Sequence, residues 1–137
     1  MHTVVVSGHR PDFRVFIDLL YGADRNVDTE GDSLPVNSRL WSCRYIADRE
    51  TNDPAVEVAA AEDESVRFTV SSESPVLEEL AALYLFLYCG SSIAKDEELL
   101  TQEEVRSLQE KYAEALSRAA TSVWHESSDA NPYPNLA

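Results

Sequence analysis

From Thr3 to Ser7 the chain reads TVVVS, a β-branched run of the length and apolarity of a buried strand. The period then changes. In PDFRVFIDLLYG, Phe13, Phe16, Ile17 and Leu20 recur at helical steps, Pro11 suits a first turn where a missing N–H costs nothing, and Gly22 can close the end. A helix over 11–21 is predicted. Residues 22–38, GADRNVDTEGDSLPVNS, hold no sustained apolar period and many turn formers, which predicts a long polar loop.

Alternation returns in SRLWSCRYIAD, residues 38–48. Trp41, Cys43, Tyr45 and Ala47 share one parity and predict an apolar face opposite Leu40, Ser42, Arg44 and Ile46. After the turn RETNDP, Val56 and Val58 open another strand, and Val66, Phe68 and Val70 alternate with Arg67, Thr69 and Ser71 in a third. The pattern is an antiparallel meander with one face under helices and the other wet. The first strand is expected to join it as a fourth, because alone its backbone groups would go unpaired.

The helical half begins at Ser74, a good N-cap, with Pro75 in the first turn, and runs through VLEELAALYLFLYC to Gly90. After Glu79 it is apolar nearly all round, as suits a helix packed between a sheet and another helix, or one that forms a dimer face. Thr101 and Glu104 form a capping box, with Leu100 and Val105 placed as a hydrophobic staple. One last helix is predicted from there to Trp124 or His125, following Val105, Leu108, Tyr112, Leu116, Ala119 and Val123. The expected fold is thus an α+β two-layer sandwich in the order β-α-β-β-β-α-α, with three to four antiparallel strands. It occupies 1–126 as a single domain, followed by a flexible polar tail over 127–137 with no core to join.

Size agrees: 137 residues with 44% hydrophobic content suffice for one real core. Charge adds more. Twenty-five Asp and Glu against eleven Lys and Arg leave a net charge of −14, and the only lysines are Lys95 and Lys111. Nucleic acids and anionic membranes recruit cations, so direct binding to either is not expected. A basic protein is the partner such a field favours, although solubility or salt adaptation produces the same composition. The N-terminal stretch has no signal-peptide pattern, and LAALYLFLYCG is too short to span a bilayer, which predicts a cytoplasmic chain. Cys43 and Cys89, with no Cys/His cluster near them, read as two buried thiols.

Chemical motifs are few. SGHRP carries one glycine where a nucleotide site needs several and a parallel sheet behind them. Ser7, His9 and Arg10 are still placed to hold a small anion, with Arg10 as the cation and the amides of the first helix as donors. His2, His9 and His125 are too scattered for zinc. DRNVDTEGDSLP has calcium-loop alternation but puts Thr29 where glycine belongs and Pro35 where the bidentate Glu belongs. No metal, cofactor or catalytic set is therefore expected, and an enzyme is the lesser reading.

Acidic residues do cluster, at Asp24, Asp28, Glu30 and Asp32, at 61–64, at Asp96, Glu97 and Glu98, and at Glu103 and Glu104. Together they predict a surface for a basic protein, and in physical type the chain resembles the immunity proteins that neutralise nuclease toxins and the nucleic-acid mimics. That resemblance implies a monomeric inhibitor or sequestering module. Two alternatives stand beside it: a dimeric secretion-chaperone-like protein associating through the helix over 76–89, and a small-anion binder or enzyme using the Ser7–Arg10 loop.

Overall fold

The β-branched opening run forms β1 (His2–Val6), which lies inside the sheet with a partner on either side. The computed structural model describes residues 1–22, 27–31, 34–48 and 53–134, with backbone alone at 27–30. After β1 come α1 (Arg14–Tyr21), β2 (Val27–Gly31), β3 (Cys43–Asp48), β4 (Val56–Ala60), β5 (Arg67–Ser72) and α2 (Pro75–Cys89). Then follow β6 (Gly90–Lys95), β7 (Glu98–Leu99), α3 (Gln102–Lys111), α4 (Ala113–Ala120) and a 3-10 turn at Val123–Glu126. The strands build one antiparallel sheet in the order β2-β3-β4-β5-β1-β6-β7. Helices cover one face, so the architecture is the expected α+β two-layer sandwich, and β1 extends the β3-β4-β5 meander as its fourth strand.

Inward residues follow the register. Val4, Val56, Val58, Phe68 and Val70 are fully buried, while Arg67 and Glu57 on the opposite face are exposed. The helix side adds Phe16, Leu19, Leu83 and Leu85, also fully buried, each side chain stabilising the fold by about 1.5–3 kcal/mol relative to exposure. Edge-to-face contacts run from Tyr84 to Phe16, Trp41 and Phe68, with centroids 5.4, 6.1 and 5.7 Å apart. The Trp41 indole N–H is satisfied by the Pro11 carbonyl at 2.8 Å.

The sheet is wider than the alternation showed. β2 lies in the stretch expected to be a polar loop; as an edge strand it needs only one main-chain partner, and it pairs with β3 from Val27 opposite Asp48 to Gly31 opposite Arg44. β6 and β7 form a hairpin over 90–99, where only Ile93 is buried and no apolar period announces a strand. The chain passes from α2 into β6 without a loop, which requires Gly90: a Cβ there would lie 2.6 Å from the Phe86 Cα.

The expected apolar face of β3 is inverted. Arg44, Ile46 and Asp48 are buried and Tyr45 is 45% exposed, because Arg44 and Ile46 pair with the inward-facing Val58 and Val56. Trp41 is buried from the irregular segment before the strand, so its parity does not carry into β3. Arg44 is accommodated inside by the Phe13 ring, 4.0 Å from its guanidinium carbon.

The last helix is also interrupted. Tyr112 leaves helical geometry at φ −107°, ψ 22°, turning a buried side chain toward α2 and separating α3 from α4. Beyond the 3-10 turn, the segment expected to have no core to join makes specific contacts. Ser127 is buried and donates to Asp12 at 2.6 Å, and the Pro132 carbonyl accepts from Arg14 at 2.7 Å.

Candidate functional site

The β6–β7 turn and α3 put one set of predicted acids at one end of the sheet. Asp96 and Glu97 form the two-residue turn at φ 48° and 74°, the mirror-image geometry that closes a tight hairpin with the right twist. β7 follows as the sheet edge with Leu99 70% exposed, and Leu100 turns back to donate its N–H to Ile93. Thr101 then starts α3 with the predicted capping box: its hydroxyl accepts from the Glu104 N–H and its own N–H donates to the Glu104 carboxylate, both at 3.1 Å. None of the residues of α3 is buried; it touches the core only through half-buried Val105 and Leu108.

Two concavities flank α3, as its 3.6-residue period dictates. On the side of Gln102, Val105, Arg106 and Gln109, a groove of about 450 Å³ runs over Phe86, Ile93 and Leu99. On the side of Glu103, Glu104, Ser107 and Leu108, a cavity of about 440 Å³ reaches His2, Glu79 and Lys95. Leu100 is a wall of both. The first wall thus mixes apolar side chains with Ser91, Ser92, Gln102, Gln109 and the cation Arg106, and the second carries Glu79, Glu103, Glu104 and Lys95.

Beneath the charged cavity lies a buried polar pair that sequence reasoning missed. His2 is 2% exposed, and its Nδ1 lies 2.5 Å from a Glu78 carboxylate oxygen. Nδ1 faces the carboxylate, and Nε2, itself buried, has no hydrogen-bond partner among the described residues. Leaving such an atom unsatisfied costs about 1–3 kcal/mol. Neighbouring Glu79 accepts from the Tyr112 hydroxyl at 2.6 Å and from Lys111 at 3.2 Å. Burial acts to raise the Glu79 pKa, but the hydrogen bonds from Tyr112 and Lys111 outweigh it and hold the carboxyl below its ordinary value. The available signals were His2 sharing the inward parity of Val4 and Val6, and two acids opening an otherwise apolar helix.

Asp96, Glu97, Glu98, Glu103 and Glu104 are all exposed at this end of the sheet. Asp96 already pairs with the α-amino group of Met1 at 2.9 Å, and that hydrogen bond, ahead of the charge attraction, lowers its pKa. Asp28 and Glu30 fall on β2, opposite Ala47 and Tyr45 of β3. That strand is the other edge of the sheet, six strand spacings or roughly 30 Å from β7, so the two sets of acids do not form one patch. Asp24 and Asp32 lie outside the described residues.

At the Ser7–Arg10 loop the groups required for an anion are engaged elsewhere. The Arg10 guanidinium donates to the carbonyls of Trp41, Leu40 and Gly8 at 2.8, 2.9 and 3.4 Å, and Ser7 donates its N–H to Cys89. The N-terminus of α1 already faces a carboxylate: Asp12 accepts from the Arg14 N–H and guanidinium. His9 is exposed beside them. Cys43 and Cys89 are half-buried thiols, and burial pushes Cys89 up to about 11, away from nucleophilic use. Among the described residues no group of three or more His, Cys, Asp or Glu is placed to hold a metal ion, and no helix is long and apolar enough to cross a membrane.

No protein-family model, curated protein or solved structure matches the chain.

Proposed function

We propose that this protein is an acidic binding module that docks a basic protein on the β6–β7 and α3 end of its sheet, and thereby neutralises or sequesters that partner, as an immunity protein or nucleic-acid mimic does. The observation that carries this reading is the arrangement around Leu99. Leu99, 70% exposed, follows the exposed Glu97 and Glu98 of the hairpin and borders a groove that mixes Phe86, Ile93 and Val105 with Ser91, Ser92 and Arg106, while Glu103 and Glu104 stand on the opposite flank of α3. The surplus of fourteen negative charges steers a basic partner toward any such site and repels polyanions.

The dimer reading draws less support. Leu80, Leu83 and Leu85 of α2, on which a dimer face would rest, are buried against the sheet and α1, leaving Val76, Leu87 and Tyr88 exposed.

A capped oligolysine peptide with interspersed leucines tests the docking reading by amide NMR and stopped-flow mixing. Shifts confined to β6, β7 and α3, with an on-rate that falls steeply with ionic strength and with Glu97→Gln/Glu98→Gln/Glu103→Gln, are expected. A salt-independent rate, or shifts spread over the whole acidic surface, overturns it.

A further inference from the structure

Helices pack on one face of the sheet, and on the other the outward residues of even its inner strands stay half-buried or exposed. The register aligns Cys43, Ala59, Thr69, Thr3 and Ala94 in one uncharged row across β3, β4, β5, β1 and β6. The next row to one side holds Tyr45, Glu57 and Ser71, and the next to the other side holds Arg67, Val5 and Ser92. Over these five strands the three rows carry one acid and one base, so this face is neutral on a chain of net charge −14. The acids of β2 lie at its rim, where Glu30 pairs with Tyr45.

We infer that this open face docks a second copy of the chain. A neutral face has no surplus charge with which to draw a basic partner, but two copies can meet there without opposing like charges. The two charges it does carry are self-complementary. A half-turn about the line of the uncharged row lays row on row, turns the facing strands antiparallel and brings Glu57 of each copy against Arg67 of the other. Face-to-face sheets stand about 10 Å apart, a gap that both side chains span. Within one copy Glu57 and Arg67 are two rows apart, roughly 14 Å along the strands, too far to pair. Arg67 meets only Glu64 there, in an exposed ion pair at 3.0 Å of the kind that contributes little. The same half-turn sets Tyr45, 45% exposed, over the small residues around Cys43 and Ala59 of the other copy. Five strands of five residues present about 400 Å² in projection from each copy, the size of a weak, reversible association. The groove beside α3 is walled by residues of α2 and α3 on the covered face, so dimerisation leaves it accessible.

Sedimentation of the full chain over a range of protein concentrations tests this independently of the docking of a basic partner, whose salt dependence has the opposite sign. Two copies of net charge −14 repel at long range, so self-association should tighten about tenfold or more as salt is raised to about 0.5 M. Glu57→Arg reduces the net negative charge yet sets arginine against arginine between the copies, and should weaken the dimer about tenfold or more. Glu57→Arg/Arg67→Glu should restore it, a rescue that only a contact between copies can give, and both positions are exposed, so neither change disturbs the core. Ala59→Lys places two like charges on the axis itself and should leave the chain monomeric. A chain that stays monomeric at about 1 mM in high salt overturns the inference. So does a dimer that weakens with salt, or one that the charge swap fails to rescue. A dimer indifferent to Ala59→Lys but lost in Leu87→Asp/Tyr88→Asp also overturns it, and assigns the interface to α2.

Discussion

Tyr112 donates its hydroxyl proton to Glu79 at 2.6 Å, joining the break between α3 and α4 to the second turn of α2 across thirty-three positions of sequence. The irregular backbone at Tyr112 keeps its N–H on the Leu108 carbonyl and its carbonyl on the Leu116 N–H, while its side chain reaches Glu79. Tyr112→Phe keeps the buried ring and removes only the hydroxyl, so it should destabilise the protein by about 1.5–3 kcal/mol in urea unfolding, the usual worth of a hydrogen bond to a charged group. Lys111→Ala, at an exposed position on the same carboxylate, should leave the unfolding midpoint unchanged.

Glu79 also sets a pH dependence. Its pKa in the folded protein lies below the ordinary 4.5, so the folded state favours the ionised carboxylate more than the unfolded chain does. This contribution to stability is complete above the unfolded value and disappears as the pH falls through the lower, folded one. Unfolding free energy measured across that acidic window should fall less steeply in Glu79→Gln than in the wild type. Parallel slopes would remove the Tyr112 and Lys111 bonds from the account.

A second buried ion pair ties the C-terminal segment down. Asp12, fully buried, meets Arg14 at 2.7 Å, and the guanidinium lies 4.0 Å from the Trp124 ring centre and 5.5 Å from that of Tyr133. Asp12→Ala leaves the arginine charge buried without its counterion and removes the acceptor for Ser127, which should cost about 3–5 kcal/mol. Limited proteolysis gives an independent readout: cleavage after 126 should accelerate in this variant before the rest of the domain is attacked.

How much of this was legible depended on whether a residue's role was local. Thr101 and Glu104 cap α3 through bonds spanning three residues, and the sequence shows the whole motif. Ser74 and Gly90 bound α2 for reasons equally contained in their neighbours. β2 and the β6–β7 hairpin exist because a long-range main-chain partner is present, which no apolar alternation reports. The inversion of β3 has the same origin, since its facing is set by register against Val56 and Val58 and not by its own side chains. His2 and Glu78 meet across seventy-six positions, so composition could signal a buried acid in α2 but not the histidine that answers it. The sites chosen for charge alone were only half gathered by the fold: the hairpin and α3 acids share an end of the sheet, and those on β2 sit at the far edge.

Glu97 brings stability and recognition into opposition. Its φ of 74° is left-handed, a conformation that costs a side-chain-bearing residue about 1–2 kcal/mol relative to glycine, and the preferred residue at the second position of such a turn is glycine. Glu97→Gly should therefore raise the unfolding free energy by about 1 kcal/mol, while Asp96 keeps its bond to the Met1 amine and holds the hairpin register. The same change removes one negative charge from the rim beside Leu99. Stopped-flow association with the oligolysine peptide should slow at low ionic strength and converge with the wild-type rate at high ionic strength, because screening removes the steering that Glu97 supplies. A variant that is more stable and slower to associate would show that the acid at this turn is retained against the backbone's preference. One that is more stable and equally fast would assign Glu97 no part in docking.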